Sequence, residues 1–85
     1  MEIPVYTPDQ VHLLPDQPGV YKYYDADRTL IYVGKAKSLK KRVSSYFTKS
    51  KNTNRKTVKM VREIRTIQYT IVNSEFDALL FILLT

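Results

Sequence analysis

Four side chains in the middle of the sequence have the types and spacing of a site that acts on a phosphodiester. Tyr32 and Lys35 lie three residues apart around Gly34. Arg42 and Tyr46 follow at a spacing of one helical turn. Arginine and lysine neutralise charge on phosphate oxygens, and a cation beside a phenol lowers its pKa toward values at which the phenol can accept a proton. We therefore expect these four side chains to converge on one cleft.

Each of these residues also has an ordinary structural interpretation, which the sequence alone leaves open. Tyrosines of a hairpin commonly pack against their neighbours, Lys35 would be a solvated charge, and Arg42 would belong to a basic helix face. His12 has no second histidine or cysteine to work with, so we expect no metal or general-base role for it. Asp25 and Asp27 have the spacing of turn residues.

Two apolar runs around a polar turn predict a β-hairpin that would carry Tyr32. Residues 19–24 and 29–34 are rich in β-branched and aromatic side chains, and residues 25–28 have turn chemistry. Residues 66–72 alternate in polarity, which is typical of a third strand with one face on a core. Gly34 would let the backbone turn sharply at the predicted end of the second strand.

Three helices are predicted around these strands. Ser38 would cap a helix over residues 38–47, in which Leu39, Val43 and Phe47 form one apolar stripe. Asn54 would cap a second helix, and a third would begin near residue 74. The apolar face of the second helix would be Thr57, Met60, Val61 and Ile64. The short links favour an α/β (α+β) fold, a three-stranded antiparallel sheet flanked by helices.

Positive charge is concentrated in one stretch of the chain. The 85 residues carry a net charge of +6, and twelve of the fourteen Lys and Arg residues fall between Lys35 and Arg65, where Glu63 is the one acid. Such a patch is expected of a protein that binds a phosphate backbone, although an anionic membrane surface, an acidic protein or a solvated helix face would also suit it. No leader or membrane-spanning run is evident, so we expect a single cytoplasmic domain.

Two tripeptides and a longer block resemble a known family. Gly19-Val20-Tyr21 and Tyr32-Val33-Gly34 resemble the paired signature of the GIY-YIG nucleases. The uninterrupted block over residues 31–47 is closely similar to the N-terminal nuclease domain of excinucleases of the UvrC type, and residues 73–80 resemble the next block of that family. The resemblance covers residues 14–80, nearly the whole chain, and it implies a fold of the GIY-YIG type.

The resemblance also implies roles for individual residues. Tyr32 would be the general base that activates the attacking water, with Tyr21 nearby in the site. Arg42 would stabilise the phosphorane-like transition state, Lys35 would tune the tyrosine or the phosphate, and Tyr46 would complete the hydrogen bonding. Gly19 and Gly34 are the glycines of the signature. For contact with the DNA backbone we expect six cations of the basic stretch, namely Lys37, Lys40, Lys41, Arg55, Lys56 and Lys59.

One departure from the family concerns its metal ion. Such nucleases use a single Mg²⁺ or Mn²⁺ held by a glutamate, and the matching position here is Ile82. An isoleucine offers no oxygen to a hard cation. Glu75 and Asp77 lie about 8 to 10 Å away along a helix, so neither would replace the missing ligand without rearrangement. We therefore expect metal binding and cleavage to be weak or absent in this chain.

The function implied by the resemblance is incision of DNA on the 3′ side of a lesion in nucleotide excision repair. The chain, residues 1–85, would be one nuclease domain and a fragment of a longer protein, with DNA and other excinuclease subunits as partners and no membrane. The alternative is a non-catalytic DNA-binding or assembly module of the same fold.

Overall fold

A three-stranded antiparallel sheet with helices packed against it is seen in a computed structural model, which describes residues 5–48, 55–72 and Ile82. The strands are β1 (Gly19–Tyr24), β2 (Leu30–Ala36) and β3 (Thr66–Ile71), and their order in the sheet is β2-β1-β3. The helices are α1 (Leu39–Tyr46) and α2 (Arg55–Glu63), preceded by a 3-10 helix over Pro8–Leu13. The predicted fold class is confirmed.

The register of the sheet decides which side chains share a face. Tyr21 of the central strand lies opposite Gly34 on one side and Tyr69 on the other, and Tyr23 lies opposite Tyr32 and Ile67. Side chains alternate between the two faces along a strand. Tyr21, Tyr23 and Tyr32 therefore share one face, which we call the tyrosine face, and Val20 belongs to the opposite face.

The main core lies on the tyrosine face beneath α1. Its fully buried members are Tyr21 and Tyr23 from the sheet, Leu39 and Val43 from α1, and Ile64 and Ile67 from the α2–β3 region, with Leu14 close by. The predicted apolar stripe of α1 is thus confirmed, although Phe47, at the C-terminal cap, is only partly buried. Helix α2 has no fully buried residue of its own and covers the edge of this core with Met60 and Val61.

A smaller apolar cluster lies on the opposite face of the sheet. Val20 and Val72 are buried there, and Val33 and Ile82 pack against them. Ile82 has helical backbone, but the rest of the predicted third helix lies outside the described residues. Asn54, the expected cap of α2, also lies outside them.

Three local features differ from the sequence expectations. Strand β2 continues to Ala36 because Lys35 and Ala36 still pair with Val20 and Gly19. Gly34 therefore lies inside a strand, has no positive φ and makes no sharp turn, so that expectation was wrong. The 3-10 helix was not predicted, although Pro8 at its first position is a helix-start signal.

The turn between β1 and β2 was predicted correctly. The Asp25 side chain accepts hydrogen bonds from the backbone N–H groups of Asp27 and Thr29, at 2.9 Å each. Arg28, within this turn, has a φ of 63°. Among the described residues, no helix has both the length and the apolar character needed to cross a bilayer.

Candidate active site

Three phenols converge on the tyrosine face, and the hydroxyl groups of two of them are hydrogen-bonded. The hydroxyl oxygens of Tyr21 and Tyr46 lie 3.0 Å apart and share a hydrogen bond. The ring of Tyr32 has its centroid 6.1 Å from that of Tyr21 and 6.3 Å from that of Tyr46. Strand β1, strand β2 and helix α1 each contribute one phenol, so Tyr32 and Tyr46 of the expected four lie together, and Tyr21 lies beside them.

The glycines of the signature make these approaches possible. The phenol of Tyr21 lies directly over Gly34, and a Cβ at that position would overlap its ring. At Gly19 a Cβ would stand 2.5 Å from the carbonyl oxygen of Thr70 and 2.7 Å from Cδ1 of Leu39. Both glycines are therefore needed for close packing, with no demand on an unusual backbone conformation.

Arg42 lies at the rim of the phenol cluster. Its guanidinium carbon is 5.7 Å from the centroid of the Tyr46 ring, within the range of a cation–π contact. A hydrogen bond to the Tyr21 hydroxyl and the nearby phenols raise the pKa of Arg42, so the group is a permanent cation at this site. Helix α1 thus carries both the cation and one of the phenols, one turn apart.

Tyr32 is the accessible phenol of the cluster. Its side chain is 38% exposed, whereas Tyr21 is 1% exposed. The pKa of Tyr32 is raised, mainly by its hydrogen bond with Tyr46 and also by burial. The pKa of Tyr46 is raised as well, mainly by burial and also by its hydrogen bond with Tyr21. Arg42 acts in the opposite direction on both but is outweighed. The expectation of a lowered phenol pKa was therefore wrong for the protein alone.

The side chain of Lys35 does not lie with the phenol cluster. The two residues are three positions apart on β2, so strand alternation directs them to opposite faces. Lys35 pairs with Val20, a member of the smaller cluster, and is exposed. The role of Lys35 in catalysis stays a prediction.

Helix α2 supplies a further wall of the site. A pocket of about 220 Å³ is lined by Tyr32, Tyr46, Lys56, Thr57 and Met60. The sequence predicted Lys56 as a backbone contact and Thr57 and Met60 as an apolar face, but not that they border the tyrosines. The helix is far from β2 in sequence, and the periodicity of one element does not show which residues it faces.

The predicted DNA-contacting residues all lie at the surface. Lys37, Lys40 and Lys41 lie near the start of α1, and the other three belong to α2. All six are exposed: Lys37, Lys40, Lys41, Arg55, Lys56 and Lys59. Their contact with DNA stays a prediction.

The described residues do not fit a divalent cation. Ile82 is half-buried and packs against Val20 and Val72, so it is committed to apolar contacts. Within the described ranges, no three His, Cys, Asp or Glu side chains are grouped closely enough to hold a metal. The described cations beside the phenols, Arg42 and Lys56, would repel a further positive charge.

Comparisons with known proteins converge on one family. The model of the UvrC-like GIY-YIG domain matches residues 17–83. The chain is similar to the UvrABC system protein C of Cytophaga hutchinsonii, with 60% identity over 67 residues, 79% of this chain and 11% of that protein. With the protein of the same name from Porphyromonas gingivalis, strain W83, the identity is 54% over 78 residues, 87% of this chain and 13% of that protein. The chain thus spans only about an eighth of these relatives.

Solved structures show the same likeness in three dimensions. The magnesium-bound GIY-YIG N-terminal endonuclease domain of UvrC from Thermotoga maritima superposes with a TM-score of 0.72 at 29% identity, covering 86% of this chain and 78% of that one. A point mutant of that domain, with an Asn replaced by Ala and also bound to its catalytic divalent cation, gives the same TM-score and covers 86% of this chain and 77% of that one.

Proposed function

Since the chain belongs to the family of UvrC-like GIY-YIG domains, we propose that it is the DNA-incising domain of a longer excinuclease protein, with cleavage weakened by Ile82. The observation that carries this proposal is the convergence of the Tyr21, Tyr32 and Tyr46 phenols with Arg42. In this proposal a phosphodiester docks against Arg42, whose positive charge offsets the charge that develops on the phosphate oxygens. The hydroxyl of Tyr46 helps to hold the phosphate.

Tyr32 is proposed as the general base because it is the most exposed of the three phenols. A phenol accepts a proton from water only after it has lost its own. A phenol is already neutral near pH 7, and the raised pKa of Tyr32 moves its ionisation to still higher pH, so any incision by this site should become faster as the pH rises. Lys35 lies on the face of β2 opposite Tyr32, so it is proposed to act on the phosphate by reaching around the end of β2 with its long side chain.

The wider context is proposed from the relatives. The chain would be a domain of a longer protein that incises DNA on the 3′ side of a lesion, together with the other subunits of the UvrABC system. The exposed cations of α1 and α2 would hold the DNA backbone without reading its sequence.

The test compares nicking of supercoiled plasmid by the unaltered chain and by the Ile82→Glu variant, each with Mg²⁺ or Mn²⁺. We expect the variant to nick and the unaltered chain to nick weakly or not at all, because only the variant has a carboxylate at the family's ligand position. Ile82→Gln is the matched control, since it places a polar group of similar size in the same apolar surroundings without the charge. Adding Tyr32→Phe to Ile82→Glu should abolish the nicking.

Equal nicking by the unaltered chain and by Ile82→Glu would show that the metal argument is wrong. If Ile82→Gln nicks the plasmid as strongly as Ile82→Glu, the gain of nicking does not come from the carboxylate.

A non-catalytic DNA-binding module is the second candidate, and the packing of Ile82 against Val20 and Val72 favours it. Such a module would bind duplex DNA through its cations, with an affinity that falls steeply with salt and does not respond to Mg²⁺ beyond ionic strength. If the Ile82→Glu variant does not nick the plasmid but still binds DNA in a salt-dependent way, the non-catalytic DNA-binding module is favoured.

A further inference from the structure

We propose that Lys56 binds the phosphate group that docks against Tyr32, so that helix α2 forms one wall of the substrate pocket. The proposal rests on the proposed function, because it assumes that a nucleic-acid backbone enters this site. It adds to that function by giving one lysine of the basic stretch, Lys56, a role in the substrate pocket that the other lysines do not share.

The shape of the site carries the inference. One side of the 220 Å³ pocket is made by Tyr32 of β2 and Tyr46 of α1, and the other by Lys56, Thr57 and Met60 of α2. A group held between these walls would touch the exposed phenol of Tyr32 and the ammonium of Lys56 together. The pocket is therefore a place where a proposed general base and a cation meet one ligand.

The chemistry of the lining fits a phosphodiester. Among the described residues, the polar groups that line the pocket are two phenols, one aliphatic hydroxyl and one ammonium, and none is a carboxylate. This set donates hydrogen bonds and carries positive charge, which suits a monoanionic phosphate. The Met60 side chain offers an apolar surface for the sugar beside that phosphate.

The strand geometry explains why Lys56 is the better candidate for this contact than Lys35. Lys35 and Tyr32 lie on opposite faces of β2, and the cross-strand partner of Lys35 is Val20 of the smaller cluster. Lys56 reaches Tyr32 from a different element, across the pocket.

Lys59 provides a matched control within the same helix. It lies one turn further along α2, is exposed like Lys56, and does not line the pocket. If both lysines contact the backbone, each should contribute about one unit to the salt slope of DNA binding. Only Lys56 should act together with Tyr32.

The experiment is a double-mutant cycle on binding of a short fluorescein-labelled DNA duplex to the full chain, followed by anisotropy in the absence of divalent metal. Lys56→Gln, Lys59→Gln and Tyr32→Phe are measured singly, and each lysine variant is also combined with Tyr32→Phe. We expect the losses from Lys56→Gln and Tyr32→Phe to depart from additivity by roughly threefold or more. The losses from Lys59→Gln and Tyr32→Phe should add to within about twofold.

Two controls accompany the cycle, a charge-conserving variant and a measurement of folding. Lys56→Arg should retain the coupling with Tyr32→Phe, since it retains the positive charge, and thermal unfolding of every variant reports whether the fold is intact. Additive losses for Lys56, with duplex binding otherwise normal, would overturn the inference and leave the proposed function standing. Binding that does not depend on salt would overturn the proposed function and the inference with it.

Discussion

At the scale of single residues, the two signature glycines are explained by packing. Gly34 leaves room for the ring of Tyr21, and Gly19 allows Leu39 and the Thr70 carbonyl to approach β1. The Tyr21 ring could not lie beside Tyr46 if a side chain at position 34 occupied that space. The glycines therefore act on the site indirectly, by fixing where a phenol lies.

Gly34→Ala is accordingly expected to destabilise the protein. The added methyl group would force the buried Tyr21 ring to move, and overpacking of this kind costs about 1 to 3 kcal/mol. Lys35→Ala is the control, because it alters the neighbouring exposed residue of β2 and should change stability by less than about 0.5 kcal/mol. Urea unfolding of both variants measures the difference, and equal midpoints would contradict the packing argument.

The residue types of the site were predictable, while their electrostatics were not. Tyr32, Lys35, Arg42 and Tyr46 were predicted from spacing on one strand and one helix, but Lys35 lies on the opposite face of β2, and the resemblance added Tyr21. The sequence suggested that nearby cations would lower the phenol pKa values, but burial and hydrogen bonds among the phenols raise them. How deeply a phenol is buried depends on residues far away in the chain, which local spacing does not show.

At the scale of elements, helix α1 is the part that best matches its prediction. Ser38 caps it as expected, since its hydroxyl accepts a hydrogen bond from the Lys41 N–H at 3.3 Å and donates one to Asp16. A capping side chain and an apolar repeat are both local signals, so they can be recognised in a single sequence. The C-terminal end of β2 could not be predicted from local sequence, because the strand is extended by its pairing with Gly19 and Val20 of β1.

Ser38→Ala is expected to lower the stability of the protein by about 1 kcal/mol, because the first turn of α1 loses its cap. Arg42 and Tyr46 belong to this helix, so fraying of its start acts on the element that positions them. Ser44→Ala, in the interior of α1, is the control and should cost little, since alanine is the better helix former. Similar losses from both substitutions in chemical denaturation would argue against a specific role for the cap.

At the scale of the whole molecule, the core is unusual in being built around tyrosines. Tyr23 is completely buried, and its hydroxyl has no hydrogen-bond partner within the described part of the chain. The ring makes aromatic contacts with Tyr21, Tyr32 and Tyr46, with centroids 5.2, 6.0 and 5.3 Å away. The protein thus keeps the packing area of the ring at the cost of an unsatisfied polar group.

The tyrosine core makes the stability of the protein dependent on alkaline pH. Burial raises the pKa of Tyr23, and the pKa values of Tyr32, Tyr46 and Tyr69 are also raised. Above about pH 10 the unfolded chain releases tyrosine protons that the folded protein retains. The unfolded state then binds fewer protons, so the free energy of unfolding falls as the pH rises, and it is unaffected by these groups at lower pH.

We therefore expect the urea midpoint to be flat between about pH 7 and 9 and to fall above about pH 10. Tyr23→Phe tests the cause, because it removes the buried hydroxyl and keeps the ring. The variant should be more stable at neutral pH by about 1 kcal/mol and should lose stability less steeply above pH 10. An equally steep fall in Tyr23→Phe would place the alkaline sensitivity in the lysines or the remaining tyrosines, and a less stable variant would mean that the hydroxyl has a partner.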